Sequence, residues 1–418
     1  MVGQTIKAGF KKTEIGEIPE EWTVRQLGDK DVSTIVMGQS PPSSSYNTSG
    51  KGLPFLQGNA DFGVLYPTPR VYCTKPLKLS ETGDILISVR APVGELNISS
   101  FKCIIGRGLA AVRNVQRNTY GKYLYYYMKN GIDRLKASST GSTFKAVGRD
   151  PMMKFKIALP SLPEQQKIAE ILSDTDSLIE SLDKLISKKR NIKQGLMKTL
   201  LTRGIGHTKF KETEIGEIPE EWECVTLGDP KISTITRAGG TPLRSVRKYY
   251  ENGNIPFVKI EDMVVSGKYL TDTDEKITDE GVRNSSAWVI QPDSILYSMY
   301  ASYGEVSINK LPVATNQAIL SIIPNKYQID VNYLYYQLKQ LKSNLKKYLR
   351  STTQNNLNAN IVKALKIPFA PLLEQQKIAE ILSDADKEIE VLEQKRYKYE
   401  MLKTGMMQQL LTGGIRVK

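Results

Sequence analysis

The chain has 418 residues, 40% apolar and 24% charged, a length and balance that fit two to four globular domains. No run of 18 apolar residues reads as a membrane span, and the opening MVGQTIKAGFKK lacks the apolar core of a signal peptide. Cys73, Cys103 and Cys224 are too few for a disulfide framework and form no CxxC pair for zinc, which points to a reducing cytoplasm, while the formal charge of +14 favours a polyanionic partner, most often nucleic acid.

In chain order, a framework segment (1–22) ends in FKKTEIGEIPEEW (Phe10–Trp22). Residues 23–160 form a first domain. It contains GQSPPSSSYN (Gly38–Asn47), a strand-like DILISV with Arg90 directly after it, a helical YLYYYMK (Tyr123–Lys129) and the polar loop TGSTFKAVGRD (Thr140–Asp150). The tyrosines read as helix core rather than as stacking platforms for bases, and Trp22 as a core anchor. Residues 161–209 hold a long helix and a linker with the single histidine, His207, expected to be solvated.

Then the order repeats. FKETEIGEIPEEW (Phe210–Trp222) closes the segment 210–222, a second domain fills 223–370, and a second long helix fills 371–418. The eleven residues EQQKIAEILSD occur unchanged from Glu164 and again from Glu374. The framework segments recur at an offset of 200 and the helices at 210, so the second domain is ten residues longer. Eight of these lie between Leu56 and Asp84 of the first copy. A period this long means duplicated domains, not a solenoid.

Charge divides along the same lines. Residues 23–160 carry 19 lysines and arginines against 8 acids, and residues 223–370 carry 18 against 13, while the framework is close to neutral. The two domains also share only scattered residues. This is the pattern of one scaffold carrying two different readers.

Both long helices show an a/d rhythm. The expected interface residues are Ile168, Leu172, Ile179, Leu182 and Ile186 in the first, and Ile378, Leu382, Ile389 and Leu392 in the second. From Glu164 to Arg203 the helix would be about 60 Å long. An apolar stripe of that length needs a partner, and the expected partner is the other copy. The alternative is that each helix packs only on its own domain. Ser161-Leu162-Pro163-Glu164 reads as a capping box, with Gly204 and Gly413 as stops.

Base reading needs polar and basic side chains on loops. The candidates in the first domain are Arg90, Ser142, Thr143, Lys145 and Arg149. In the second they are Arg350, Thr352, Gln354, Asn355 and Asn356 in RSTTQNNLNAN, with Arg237, Arg244, Arg247 and Lys248 in TRAGGTPLRSVRKYY as a phosphate-gripping loop. The bland reading of each is a solvated polar loop or a strand-end ion pair. No catalytic set is found. One histidine excludes a multi-histidine metal site, no GxxxxGK[ST] loop exists, SPPS lacks the aromatic of an amino-methyltransferase NPPY, and Glu393-Gln394-Lys395 sits in a helix pattern.

Taken together, EIGEIPEEW before each domain, GQSPPSSSYN, GDILISVRAPVG (Gly83–Gly94), IALPSLPEQQKIAEILS and IPFAPLLEQQKIAEILS make the chain resemble a specificity subunit of a type I restriction–modification system. The resemblance covers nearly the whole length. It implies an α+β fold with internal pseudo-twofold symmetry, in which two globular α/β target-recognition domains are joined by two long helices paired as an antiparallel coiled coil. It implies a non-catalytic subunit without cofactor or metal. The partners it implies are double-stranded DNA, read as a bipartite asymmetric site, two methyltransferase subunits and, through them, restriction subunits. A self-contained DNA methyltransferase and a coiled-coil assembly protein with basic lobes are the competing classes. The second domain has AGGTPLRSVRKYY where the first has the SPPSSSYN stretch, which sets a shared base code in doubt.

Overall fold

The computed structural model describes residues 7–137, 146–300, 303–350 and 357–417, apart from the side chains of 343–350. It divides into two compact units. One comprises Met1–Asp183 with Gln394–Lys418, the other Lys184–Glu393. Each unit therefore holds one framework hairpin, one globular domain, the start of one long helix and the end of the other.

In the first unit the hairpin pairs Phe10–Thr13 with Gly16–Pro19. Strand Thr23–Gln26, directly after Trp22, pairs antiparallel with Lys156–Leu159, directly before the long helix. The domain's entry and exit are thus tied together at its base. Between them lies an antiparallel sheet in the order Leu96–Ile98, Ile85–Ser88, Leu109–Asn114, Ser33–Met37. A second sheet runs Tyr46–Asn47, Val71–Cys73, Leu53–Leu56, Cys103–Ile105, Leu79–Ser80, with one parallel pairing at its centre. Every residue of Ile85–Ser88 is buried, so this strand is covered on both faces.

The second unit repeats the plan with its own strands. Glu223–Thr226 pairs with Lys366–Phe369, and a five-stranded sheet runs Ser233–Ala238, Ile319–Pro324, Ile295–Ser298, Val306–Asn309, Tyr269–Leu270. Its additional residues build two short helices, Ile260–Ser266 and Asp279–Arg283, where the first domain has only the single turn Asn59–Asp61.

The long helices span Leu162–Arg203 and Leu372–Leu410. Within each unit the two segments run antiparallel. In the first, Asp176 pairs with Lys403 and Asp183 with Arg396. In the second, Lys193 pairs with Asp386 and Arg190 with Glu393. Each aspartate at the domain end also accepts a tyrosine hydroxyl, Tyr126 to Asp176 at 2.8 Å and Tyr336 to Asp386 at 2.6 Å. The packing combines the two alternatives open from the heptads. Ile168 and Leu172 are fully buried in one core with Tyr123 and with Met407 and Leu410 of the other helix, and Ile378 and Leu382 share a core with Tyr333 and Leu201. Further along, Leu182, Ile186 and Ile389 are buried, while Ile179 and Leu392 are half-buried.

Two expectations change. Glu164 does not reach back to close a capping box. Its carboxylate, 4% exposed, accepts the Trp22 indole N–H at 3.1 Å and the Arg416 guanidinium at 2.6 and 2.9 Å. Glu374 does the same in the second unit, accepting from Trp222 at 2.9 Å and from the backbone N–H of Ile205 at 2.8 Å. His207 is accordingly not solvated. Its Nε2 lies 2.9 Å from Glu374 Oε1. A tertiary demand for a buried carboxylate has overridden the local cap. The next residue is used equally. Gln165 and Gln375 each accept a backbone N–H (Tyr120, Asp330) and donate to the carbonyl closing the domain's last strand (Pro160, Ala370).

The units differ at a half-buried position. The carbonyl of Leu65 accepts the N–H of Ile98, and that of Lys268 accepts the N–H of Ile308, so the two residues are structural equivalents. Leu65 packs on its core. Lys268 instead donates to the Tyr336 hydroxyl and to Ser383 Oγ, both at 2.9 Å, and burial pushes its ammonium down to about 8.

We expect Glu164→Ala to lower the unfolding free energy by about 2–3 kcal/mol, measured by urea titration, because it orphans a buried indole and a bound arginine. The Lys268 proton is held more weakly in the fold than in the open chain, whose ordinary value is 10.5. Protonation therefore costs stability. That cost is absent above pH 10.5, grows as pH falls and is complete below about pH 8. Lys268→Met should thus gain stability over the parent chain as pH is lowered from 10.5 to 8, with a constant difference below. A difference that does not vary with pH would contradict this.

Candidate nucleic-acid interface

At one end of each domain the strand-connecting loops converge. In the first domain the N–H groups of Gly38 and Gln39 donate to the carbonyls of Leu109 and Ile105, both at 2.9 Å. Gly106 N–H donates to Leu56 O, Val89 N–H to Gly108 O, and Val147 N–H to Val89 O. Five segments are thereby laced side by side: 38–40, 56–57, 89–90, 106–108 and 147. A Cβ on Gly38 would stand 2.1 Å from the Gly106 carbonyl oxygen, so only glycine allows this approach.

The second domain repeats three of these bonds from a different sequence. Gly239 and Gly240 donate to Ile319 and Thr315, and Met299 N–H to Ala318 O. A Cβ on Gly239 would meet the Thr315 carbonyl oxygen at 2.1 Å. The stretches that looked unrelated, GQSPPSSSYN and AGGTPLRSVRKYY, therefore occupy one structural position. Each is closed by the same bond from a tyrosine hydroxyl to a proline carbonyl, Tyr46 to Pro41 at 2.7 Å and Tyr250 to Pro242 at 2.5 Å.

The candidate residues fall on and around these clusters unevenly. Arg90 is exposed on the 89–90 segment, and Arg149 opens the short helix Arg149–Met153 two residues after Val147. Ser142, Thr143 and Lys145 lie outside the described residues, as do Thr352, Gln354, Asn355 and Asn356. Arg350 ends the helix Val331–Arg350, and its side chain is likewise outside them. The arginines of TRAGGTPLRSVRKYY divide in two. Arg244 is bidentate to Glu275 and stacks over Tyr250, which fixes it as a brace for the loop. Lys248 pairs with Glu280. Arg237 lies over the Trp288 ring, and Arg247 is exposed. Two residues not singled out from sequence stand at the tips of the clusters. Arg107 is exposed with its N–H held by Ser40 Oγ at 3.2 Å, and Gln317 is exposed with its Oε1 accepting from Thr241 at 2.6 Å.

The helix pairs carry a second kind of surface. In the first unit Ile171, Met401, Leu402, Met406, Ile415 and Val417 line an almost wholly apolar recess of about 510 Å³, and Met401 and Leu402 are more than half exposed. At the equivalent positions of the second unit Ile192, Ile205 and Ile381 are exposed. Among the described residues no cluster of histidine, cysteine and acid could hold a metal ion, and no helix is long and apolar enough to cross a membrane.

Residues 19–189 and 219–400 each match the family model of the type I restriction modification DNA specificity domain. The type I restriction enzyme MjaVIII specificity subunit of Methanocaldococcus jannaschii is 28% identical over 420 residues, 98% of this chain and 96% of that one. The MjaX specificity subunit of the same organism is 47% identical over 193 residues, 46% of this chain and 45% of that one, so this match spans about half the length of that relative. Among solved structures, the type I system S subunit from M. genitalium shares the fold with a TM-score of 0.59 and 18% identity, covering 93% of this chain and 96% of that one. The doubled domain, the paired helices and the loop clusters thus converge with the family match, and the chain belongs to the type I restriction–modification DNA specificity family, as a DNA-recognition subunit and not a catalytic one.

Proposed function

We propose that the chain reads a bipartite, asymmetric duplex DNA site, one half with each domain, and that the long helices set the spacing between the halves. The observation that carries this is the pair of equivalent loop clusters built on one backbone plan but presenting different side chains. Equal clusters would read a symmetric site; unlike ones read an asymmetric one. Arg90 and Arg149 beside the first cluster, and Arg237 and Arg247 beside the second, supply phosphate or base contacts. The polar stretches 142–145 and 350–356, including Arg350, lie close in sequence to the last segment of each domain. The net positive charge of both domains supports this reading, since phosphate neutralisation dominates affinity.

The apolar recess on the first helix pair and the exposed isoleucines at the matching positions of the second support docking of two methyltransferase subunits, one per unit, with restriction subunits joining through them. Patches this apolar are costly when left in water.

The chain co-expressed with its methyltransferase subunits should co-elute with them and leave a split, asymmetric methylation motif in the host genome. A continuous or palindromic motif, or separate elution, would sink the reading. Isolated, the chain should not retain labelled S-adenosylmethionine. Four residues inserted into Leu162–Arg203 should change the spacer and leave both half-motifs intact. Within the second domain, Arg247→Ala should reduce the slope of log affinity against log salt by about one. Arg244→Ala should leave that slope unchanged and lower stability by about 1 kcal/mol, since the brace it removes is partly exposed.

A further inference from the structure

The geometry points to Arg107 and Gln317 as the equivalent base-reading positions of the two domains, Arg107 taking a guanine and Gln317 an adenine. This rests on the reading of the domains as two half-site readers, and it adds which residue reads which base.

Four observations place the two residues at one position. They are separated by the 210 that relates the two sheets, and each stands two residues after a strand paired parallel to its neighbour, Cys103–Ile105 with Leu53–Leu56 and Ala314–Thr315 with Ile255–Val258. Each is the second residue of a four-residue turn, closed by Leu109 N–H to Gly106 O at 2.9 Å and by Ile319 N–H to Asn316 O at 3.3 Å. The residue after each gives its carbonyl to the neighbouring loop, Gly108 to Val89 and Ala318 to Met299. Finally, each is touched by the hydroxyl two residues into the glycine loop, Ser40 in one and Thr241 in the other.

The turn is rigid on its inner side. A Cβ on Gly108 would stand 2.7 Å from the Gln57 carbonyl oxygen, so the backbone is pressed on its neighbour and one long side chain is left to project outward. Among the described residues the Arg107 side chain has no hydrogen bond or ion pair, so its donors remain available. A guanidinium offers donors only, which matches the two acceptors N7 and O6 of guanine in the major groove. Gln317 is oriented. Its Oε1 takes the Thr241 hydroxyl, which leaves two N–H donors on Nε2 and a second lone pair on Oε1. One donor and one acceptor side by side match N7 and N6–H₂ of adenine. Ser40 and Thr241 thus act as positioning residues, the first through the backbone and the second through the amide.

The test uses the full chain with its methyltransferase subunits. Genomic methylation mapping and selection from randomised duplexes by the purified complex are run for the parent, Arg107→Gln, Arg107→Ala and Gln317→Arg. Arg107→Gln should convert one guanine to adenine in one half-site, with roughly a tenfold to hundredfold change in preference, and leave the other half-site untouched. Gln317→Arg should convert an adenine to guanine in the opposite half only. Arg107→Ala should make that single position degenerate and unfold at the parental midpoint. An unchanged motif with weaker, steeply salt-dependent binding would make Arg107 a phosphate contact and overturn the assignment. So would a change in both half-sites, a lowered midpoint for Arg107→Ala, or loss of all specific binding by both Arg107 variants. Absence of a split motif in the parent would instead defeat the functional reading on which the inference rests.

Discussion

Each half of the molecule is organised around one carboxylate at the start of its long helix, Glu164 buried and Glu374 half-buried. Glu164 stands in the first turn of its helix, almost fully removed from water, and a charge in that place must be paired. Its two partners come from distant parts of the chain: the indole of Trp22 in the framework and the guanidinium of Arg416, just beyond the end of the second helix. Hairpin, domain base and returning helix are therefore fixed to one another at a single point. Glu374 binds Trp222, Ile205 and His207 in the same manner. The Arg416 guanidinium is held well above its ordinary range by the two carboxylates, Glu164 first and Glu21 second. It stays charged at any pH at which the fold exists.

The two reading ends show how a fold can be retained while its sequence drifts. What persists between the domains is backbone: glycines where loops press together, a proline carbonyl capped by a tyrosine, a turn closed by one hydrogen bond. What differs is the side chain standing at each tip. Backbone bonds ask little of residue identity except where a Cβ would clash, so the surface facing a ligand is free to change without cost to the core. The second domain's two added helices lie between strands and leave this plan intact.

Much of this architecture is legible before any coordinates. Exact repeats declare the duplication, and the a/d spacing of Ile168, Leu172, Ile378 and Leu382 declares helices that need a partner. The role of Glu164 is not legible, because Ser161 three residues earlier offers a local cap, and nothing local reveals Trp22 or Arg416, 142 and 252 residues away. His207 misleads for the same reason. In the loop TRAGGTPLRSVRKYY a count of cations overstates the free charge, since Arg244 and Lys248 are spent on Glu275 and Glu280, acids 31 and 32 residues further on. Arg107 left one faint signal, its place between two glycines, and Gln317 left none. The kinship of GQSPPSSSYN with AGGTPLRSVRKYY lies in hydrogen bonds that spell no common letters.

The division of each helix between two units has a consequence in time. A ribosome releases residues in order, and the first unit needs residues 394–417, which emerge only after the whole second globular domain and the start of the second helix. The first domain can form its sheets early, but its core waits for Met407, Leu410 and Leu411, and its buried carboxylate waits for Arg416. The second unit waits for nothing that comes after residue 393. The half that is made first is thus completed last, and a chain broken off during synthesis leaves Glu164 without Arg416 and the apolar face of its helix without Met407, Leu410 and Leu411.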